Sequence, residues 1–117
     1  MLLTSEWMCK TLLDFGFGSL DAEVYVFLAL NGPNSASAIT GALGVGRWRI
    51  YRVFKKLESQ HILFRSHDLP AFFSVLSFDR LLDLLVKTNL LEAKRIEQKK
   101  DELLTLWNSC IKMSREK

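Results

Sequence analysis

The sequence predicts a mainly α-helical fold with a small β-hairpin: a winged helix-turn-helix followed by a long C-terminal dimerisation helix. Three observations lead to this prediction. Helical patterns flank the glycine-containing turn 44–46, two extended segments follow, and residues 78–117 contain neither Gly nor Pro. A chain of 117 residues that is 49% hydrophobic and 25% charged is typical of one globular domain with an appendage. We therefore place the winged helix-turn-helix at residues 1–76 and the dimerisation helix at residues 77–117.

Four helices are predicted in the first 60 residues, because apolar residues recur there at helical spacing. They cover about residues 4–15, 19–30, 36–43 and 47–60. The second helix ends at residues 31–34, Asn-Gly-Pro-Asn, since proline cannot continue a helix and glycine readily adopts the left-handed conformation that stops one. Ser35 is a favourable N-cap for the third helix. A short turn joins the third and fourth helices, as in a helix-turn-helix.

A hairpin and one long helix complete the chain. The extended segments 62–65 and 71–75 are separated by a loop with the turn formers Asp68 and Pro70. The last helix would contain about 35 residues and extend about 50 Å, whereas a 75-residue domain is only about 30 Å across. We therefore expect this helix to pair with its copy in a second subunit. The alternatives are a helix that folds back on its own domain and a frayed basic tail.

The expected dimer interface follows three- and four-residue spacing along the last helix, as in a coiled coil. Its predicted residues are Leu82, Leu85, Asn89, Ile96, Leu103, Leu106 and Cys110. The pattern is imperfect, so it leaves the register of the pair open. Asn89 either fixes that register or is simply solvated.

Positive charge is concentrated in residues 44–67, although the net charge of the whole chain is only +3. This stretch contains six Lys or Arg residues and one acid, a net charge of +5, so the other 93 residues carry −2. If Ile50, Phe54 and Leu57 face the core, the basic residues of the fourth helix face outwards. Such a face on the second helix of a helix-turn-helix predicts binding to double-stranded DNA. Arginines would read base edges and lysines would contact phosphates.

The predicted DNA contacts lie on the helix-turn-helix and the hairpin. They are Ser35, Arg47, Trp48, Arg49, Arg52, Lys55, Lys56, Arg65 and His67. Trp48 either touches a thymine methyl group or a sugar, or packs against the hairpin. His67, at the hairpin tip, is either a DNA contact or merely solvated.

Several other classes of protein are not expected. Cys9 and Cys110 lie near opposite ends, there is no Cys-x-x-Cys pair, and neither histidine clusters with them, so we expect no metal and no cofactor. No set of nucleophile, base and orienting group is recognisable, which argues against an enzyme. The N-terminus lacks the pattern of a signal peptide, and no apolar stretch is long enough to span a membrane. The expected location is cytoplasmic.

Several short motifs, taken in order, point to a known family. They are Ala22-Glu23-Val24-Tyr25, Gly32-Pro33, Ser35-Ala36, Gly44-Val45-Gly46-Arg47, Arg49-Ile50-Tyr51, Leu57-Glu58 and the hairpin Pro70. With them, residues from about 12 to 80 resemble the winged helix-turn-helix domain of TrmB-like archaeal transcription regulators. The resemblance implies DNA binding, dimerisation through a C-terminal helix and control of transcription. The chain departs from the family at Gly18, Gly46 and Trp48, where Gly18 replaces a frequent Thr and Gly46 a frequent Pro.

The resemblance does not imply every property of the larger family members. Those members resemble sugar sensors because of a C-terminal effector domain, so no sugar ligand is expected here. The predicted function is a homodimeric, sequence-specific DNA-binding transcription regulator, with the recognition helix in the major groove and the wing on the backbone. The alternative is a winged-helix protein–protein interaction module. The basic fourth helix distinguishes the two, because an interaction module has no need of it.

Overall fold

A computed structural model of the chain describes residues 4–115, which form five helices and three short strands. The helices are α1 (Thr4–Asp14), α2 (Ser19–Asn31), α3 (Ala36–Leu43), α4 (Arg47–Ser59) and α5 (Phe78–Arg115), and the strands are β1 (Asn34–Ser35), β2 (Leu63–Arg65) and β3 (Phe72–Val75). This architecture confirms the predicted fold class. The chain divides into two compact units between Phe78 and Asp79.

The three strands form one antiparallel sheet in the order β1-β3-β2. In the hairpin, Leu63 pairs with Val75 and Arg65 pairs with Phe73. Strand β1, where Ser35 pairs with Phe72, was not predicted. Two residues are too few to show the alternating pattern of a strand, and β1 exists only because β3 lies beside it.

The ends of the short helices are defined by local hydrogen bonds. The Ser35 hydroxyl accepts a hydrogen bond from the Ala38 amide at 3.2 Å, so Ser35 is the N-cap of α3, as predicted. Helix α4 ends in a Schellman arrangement, in which the Ile62 amide donates to the Leu57 carbonyl at 3.0 Å. His61 occupies the left-handed position of this motif with a φ of 62°. Glycine usually takes that position, because a Cβ is strained there.

The core of the first unit lies between the inner face of α4, helix α2 and the sheet. The predicted inward residues of α4, Ile50, Val53, Phe54 and Leu57, are all buried. The Phe54 ring stacks on Phe73 of β3 with 4.1 Å between centroids, which joins helix to sheet. The buried Tyr25 of α2 donates its hydroxyl proton to the Leu76 carbonyl at 2.7 Å. These contacts fix the orientation of α4, since its inner face cannot rotate away from the sheet.

The second unit begins at Asp79 and contains the rest of α5. The helix runs without a break to Arg115, and its 38 residues extend about 57 Å. Every described side chain between Val86 and Cys110 is exposed.

Candidate nucleic-acid interface

Helices α3 and α4 form a helix-turn-helix around the turn 44–46. Gly44 ends α3 in the left-handed conformation, with φ 65° and ψ 34°, and its amide donates to the Thr40 carbonyl at 2.9 Å. Gly46 is the N-cap of α4 in an extended conformation, with φ −61° and ψ 148°. The turn therefore needs a glycine at 44, where φ is positive, but tolerates a side chain at 46.

The outer face of α4 carries only exposed polar, basic and aromatic side chains. We call the following set the basic face: Arg47, Trp48, Arg49, Arg52, Lys55 and Lys56. The six side chains were all predicted from the sequence, and α4 brings them together because the opposite side is held in the core. Five of the six are cations, and no acid of α4 precedes Glu58. The helix thus presents concentrated positive charge to solvent.

Trp48 and Arg52 form a stacked pair on the basic face. The Arg52 guanidinium carbon lies 5.0 Å from the centroid of the Trp48 ring, within the range of a cation–π interaction. Trp48 is 72% exposed, so it does not pack against the hairpin as part of the core. The indole holds the guanidinium in place while leaving its outer edge available to a ligand.

Lys56 differs from the other cations of the basic face, because it is bound to a carboxylate of α2. Its Nζ lies 2.7 Å from Oδ2 of Asp21, whose side chain is only 10% exposed. Asp21 is not among the site residues predicted from the sequence. The helix dipole alone is enough to explain an acidic residue in the first turn of α2. Nothing in the neighbouring sequence therefore indicated that Asp21 pairs with Lys56, which is 35 residues away.

A pocket of about 250 Å³ opens beside the basic face, between α4 and the start of α2. Arg49, Arg52 and Lys56 line one side, together with Val53. Leu20 and Asp21 line the other side.

The remaining predicted DNA contacts lie in the hairpin of β2 and β3, which we call the wing, and at the start of α3. Arg65 donates to Glu58 of α4 at 3.0 Å, and its guanidinium carbon lies 5.1 Å from the centroid of the Phe73 ring. His67 is exposed in the hairpin loop. Ser35 is half-buried, and its hydroxyl is used as the α3 cap. Arg65 and Ser35 therefore have structural partners already, whereas the side chain of His67 is accessible.

The side chains of residues 4–115 also bear on metal binding, membrane spanning and thiol reactivity. Within that range no three His, Cys, Asp or Glu side chains are grouped so that they could hold a metal ion. None of the helices in the same range is both long and apolar enough to cross a membrane. Burial raises the pKa of the Cys9 thiol, and the Glu23 carboxylate adds to this effect. The thiol is therefore a poorer nucleophile near neutral pH than an ordinary cysteine.

Comparison with known proteins settles the family. The family model described as sugar-specific transcriptional regulator TrmB matches residues 12–79, more than half of the chain. The chain belongs to the TrmB family. The match covers the helix-turn-helix and the whole sheet, so it confirms the resemblance inferred from the motifs. No curated protein matches this TrmB-family chain significantly.

Solved structures of transcriptional regulators share the fold of the TrmB-family chain. A possible transcriptional regulator from Methanosarcina mazei Go1 has a TM-score of 0.60 and 22% identity, over 86% of this chain and 88% of the other. Transcriptional regulator Tm0710 from Thermotoga maritima has a TM-score of 0.56 and 19% identity, over 97% and 88%. A MarR-like regulator from the same organism has a TM-score of 0.51 and 12% identity, over 99% and 97%. At these identities the likeness shows the winged-helix fold.

Proposed function

We propose that this TrmB-family protein is a sequence-specific double-stranded DNA-binding transcription regulator that acts as a homodimer. The recognition helix α4 enters the major groove, and the wing lies on the flanking backbone. The observation that carries this proposal is the basic face, an exposed cationic surface on the second helix of a helix-turn-helix. Membership of a family of transcriptional regulators supports it further.

Different parts of the basic face suit different parts of DNA. Arg49 and Arg52 carry planar guanidinium groups that can bind a guanine edge through two hydrogen bonds. Lys55 carries a point charge suited to a phosphate. Trp48 holds Arg52 from one side, which reduces the side-chain entropy lost on binding. We assign base reading to the two arginines and backbone contact to Lys55, the wing and the turn.

The homodimer is supported by the apolar surface that α5 exposes. Between residues 90 and 113, eight large hydrophobic side chains are about half exposed or more: Leu90, Leu91, Ile96, Leu103, Leu104, Leu106, Trp107 and Met113. Large apolar side chains exposed along one helix gain free energy when a second surface covers them. Pairing two copies of α5 would cover these side chains.

The predicted interface residues of α5 differ in exposure, and only some of them belong to the exposed apolar set. Ile96, Leu103 and Leu106 are 63%, 55% and 57% exposed, and Cys110 is exposed as well. Leu82 and Leu85 are partly buried. Asn89 is exposed and donates to the Leu85 carbonyl at 2.9 Å, which leaves its amide oxygen to accept a hydrogen bond across a dimer. This is compatible with a role of Asn89 in setting the register.

A homodimer of this design reads a pseudopalindromic site. Two recognition helices related by a two-fold axis reach half-sites about one helical turn apart, about 34 Å. Binding at a promoter would then occlude or recruit the transcription machinery. No sugar-binding step is part of the proposal.

The experiment that tests the proposal is a salt titration of binding to random duplex DNA. The wild-type protein is compared with an Arg49→Ala/Arg52→Ala double variant. We expect a steep loss of affinity with salt for the wild type, and a weaker affinity with a shallower slope for the variant. The matched control is Lys10→Ala on α1, which removes one exposed charge away from the basic face.

Two outcomes would contradict the proposal. If the wild type does not bind duplex DNA at low salt, the protein is better explained as a winged-helix protein–protein interaction module. If the double variant binds like the wild type, DNA does not contact the basic face. The half-exposed Phe64 and Phe72 of the wing are the surface on which a protein partner would then be sought.

A further inference from the structure

The pocket beside α4 has a charge composition that the proposed base contacts do not explain. Arg49, Arg52 and Lys56 lie on one ridge of α4, at positions i, i+3 and i+7, and all three line the pocket. Like charges so placed repel one another. Asp21 on the opposite wall neutralises one of them, so the lining retains a formal charge of +2.

The Asp21 carboxylate lies in the first turn of α2 and forms an ion pair with Lys56. It is nearly buried and lies 2.7 Å from the Lys56 ammonium. An ideal Cβ at Gly18, the N-cap of α2, would lie 3.0 Å from the same carboxylate oxygen. The absence of a side chain at residue 18 therefore leaves room for the carboxylate. Asp21 holds Lys56 at the pocket wall, while Arg49 has no ion-pair partner among residues 4–115.

The size and charge of the pocket indicate the class of its ligand. Its volume, about 250 Å³, is below the range of about 300–1,000 Å³ that is typical of sites for drug-sized ligands. Arginine and lysine together are the usual partners of phosphate oxygens, because guanidinium binds two of them and ammonium adds a mobile charge. We propose that this pocket binds a phosphate group, with Arg49 and Lys56 as its principal ligands and Asp21 as the positioning residue for Lys56.

The phosphate can come from two sources. One is a phosphodiester of the DNA backbone; in that case the inference rests on the proposed function and makes Arg49 a backbone ligand in addition to a base reader. The other is a free phosphate-bearing small molecule that occupies the pocket beside bound DNA. Both sources present the same tetrahedral anion to the pocket.

The test uses inorganic phosphate as the probe on the full chain. The protein is titrated with phosphate, and separately with chloride at equal ionic strength, while nuclear magnetic resonance follows the backbone amides of Leu20 and Asp21 and the guanidinium Nε–H of Arg49 and Arg52. We expect these signals to shift saturably in phosphate and not in chloride. Shifts that do not saturate, or equal shifts in chloride, would show that the pocket does not bind phosphate specifically.

Three variants separate the pocket from general electrostatics. Arg49→Gln removes a ligand and is expected to weaken phosphate binding about tenfold. Asp21→Asn keeps an amide oxygen that can accept a hydrogen bond from Lys56 but removes the only negative charge of the lining. It is therefore expected to strengthen phosphate binding, an effect with the opposite sign to that of a structural defect. Lys10→Gln removes an exposed charge of α1 that is not part of the basic face and is expected to leave phosphate affinity unchanged. Equal losses in Lys10→Gln and Arg49→Gln, or a loss in Asp21→Asn, would contradict the proposal.

A second arm distinguishes the sources. Duplex affinity is measured with chloride replaced by phosphate at constant ionic strength. If a backbone phosphate occupies the pocket, the apparent Kd for duplex rises with phosphate occupancy. If the pocket serves a free ligand beside bound DNA, the Kd is unchanged and the phosphate shifts persist in the complex. If the protein does not bind duplex DNA, the proposed function is wrong, but the phosphate titration still tests the pocket. If the protein binds duplex DNA and has no saturable phosphate site, the pocket proposal is wrong and the proposed function stands.

Discussion

The Lys56 ammonium lies 2.7 Å from the Asp21 carboxylate, and this ion pair joins the recognition helix to the first turn of α2. The Lys56 side chain is 55% exposed to solvent, whereas the Asp21 side chain is only 10% exposed. Because one partner is nearly buried, breaking the pair costs more than breaking a surface salt bridge. The position and charge of α4 therefore depend on a residue outside the helix-turn-helix.

Gly18→Ala is expected to destabilise the protein. The new Cβ would lie 3.0 Å from Oδ2 of Asp21, so the carboxylate must shift by a few tenths of an ångström, which disturbs its bond to Lys56. We expect a loss of about 1 kcal/mol in the free energy of unfolding, measured by urea denaturation. The matched control is Gly46→Ala, since Gly46 is also a helix N-cap but a Cβ there has open space around it. Equal losses in the two variants would show that the Asp21 contact is not responsible.

Base-reading and backbone residues of the basic face are expected to behave differently. Once an operator is known, Arg49→Ala or Arg52→Ala should cost about 1–3 kcal/mol on that operator and less on random DNA. Lys55→Ala or Lys56→Ala should weaken all sequences alike and reduce the salt slope by about 1. Fluorescence anisotropy at several salt concentrations measures both. A uniform loss in all four variants would mean that no arginine reads a base.

Charge in the middle of the α5 apolar surface is expected to separate the subunits. Leu103→Asp places a carboxylate at a predicted interface position that is 55% exposed in the isolated chain. Because each subunit would bury an unpaired carboxylate against apolar side chains of its partner, we expect the dimer to weaken by about 2 kcal/mol or more. Sedimentation velocity over a range of concentrations measures this. Thr105→Asp, an exposed position off the predicted spacing, is the control, and a dimer that persists in Leu103→Asp would place the interface elsewhere.

His61→Gly is expected to stabilise the first unit. His61 has a φ of 62° at the end of α4, a conformation that costs a residue with a Cβ about 1 kcal/mol or more. Part of the gain is lost to the greater freedom of glycine in the unfolded chain, so we expect a net increase of up to about 1 kcal/mol. Gln60→Gly is the control, because Gln60 has a φ of −90° and gains nothing from glycine. A loss of stability in His61→Gly would indicate that the imidazole itself contributes.

The Cys9 thiol is expected to titrate at higher pH in the folded protein than in the unfolded chain. Burial is the main cause of its raised pKa, and Glu23 adds to it. In a Cys110→Ser variant, the alkylation rate should reach half its maximum at a higher pH in buffer than in urea. The folded state keeps its proton longer, so this thiol's contribution to stability is complete below the unfolded pKa and decreases as the pH rises above it. Identical midpoints would contradict the assignment.

The helix-turn-helix, the hairpin and the long last helix could all be predicted from the amino-acid sequence. Each of these follows from local causes: helical spacing of apolar residues, a serine cap at Ser35, and breakers at Gly32, Pro33 and Gly44. The basic face was equally visible, because Ile50, Phe54 and Leu57 fix which side of α4 is buried. Interactions between neighbours along the chain leave a pattern that can be read directly.

The contacts between residues that are distant along the chain could not be predicted and became visible in the folded protein. Strand β1 exists because Ser35 lies opposite Phe72, and the pocket exists because Asp21 lies opposite Lys56. These partners are more than thirty residues apart, and no periodicity links them. The helix dipole is a sufficient local explanation for Asp21 in the first turn of α2. Its pairing with Lys56 depends on the packing of α2 against α4, which the sequence pattern does not show.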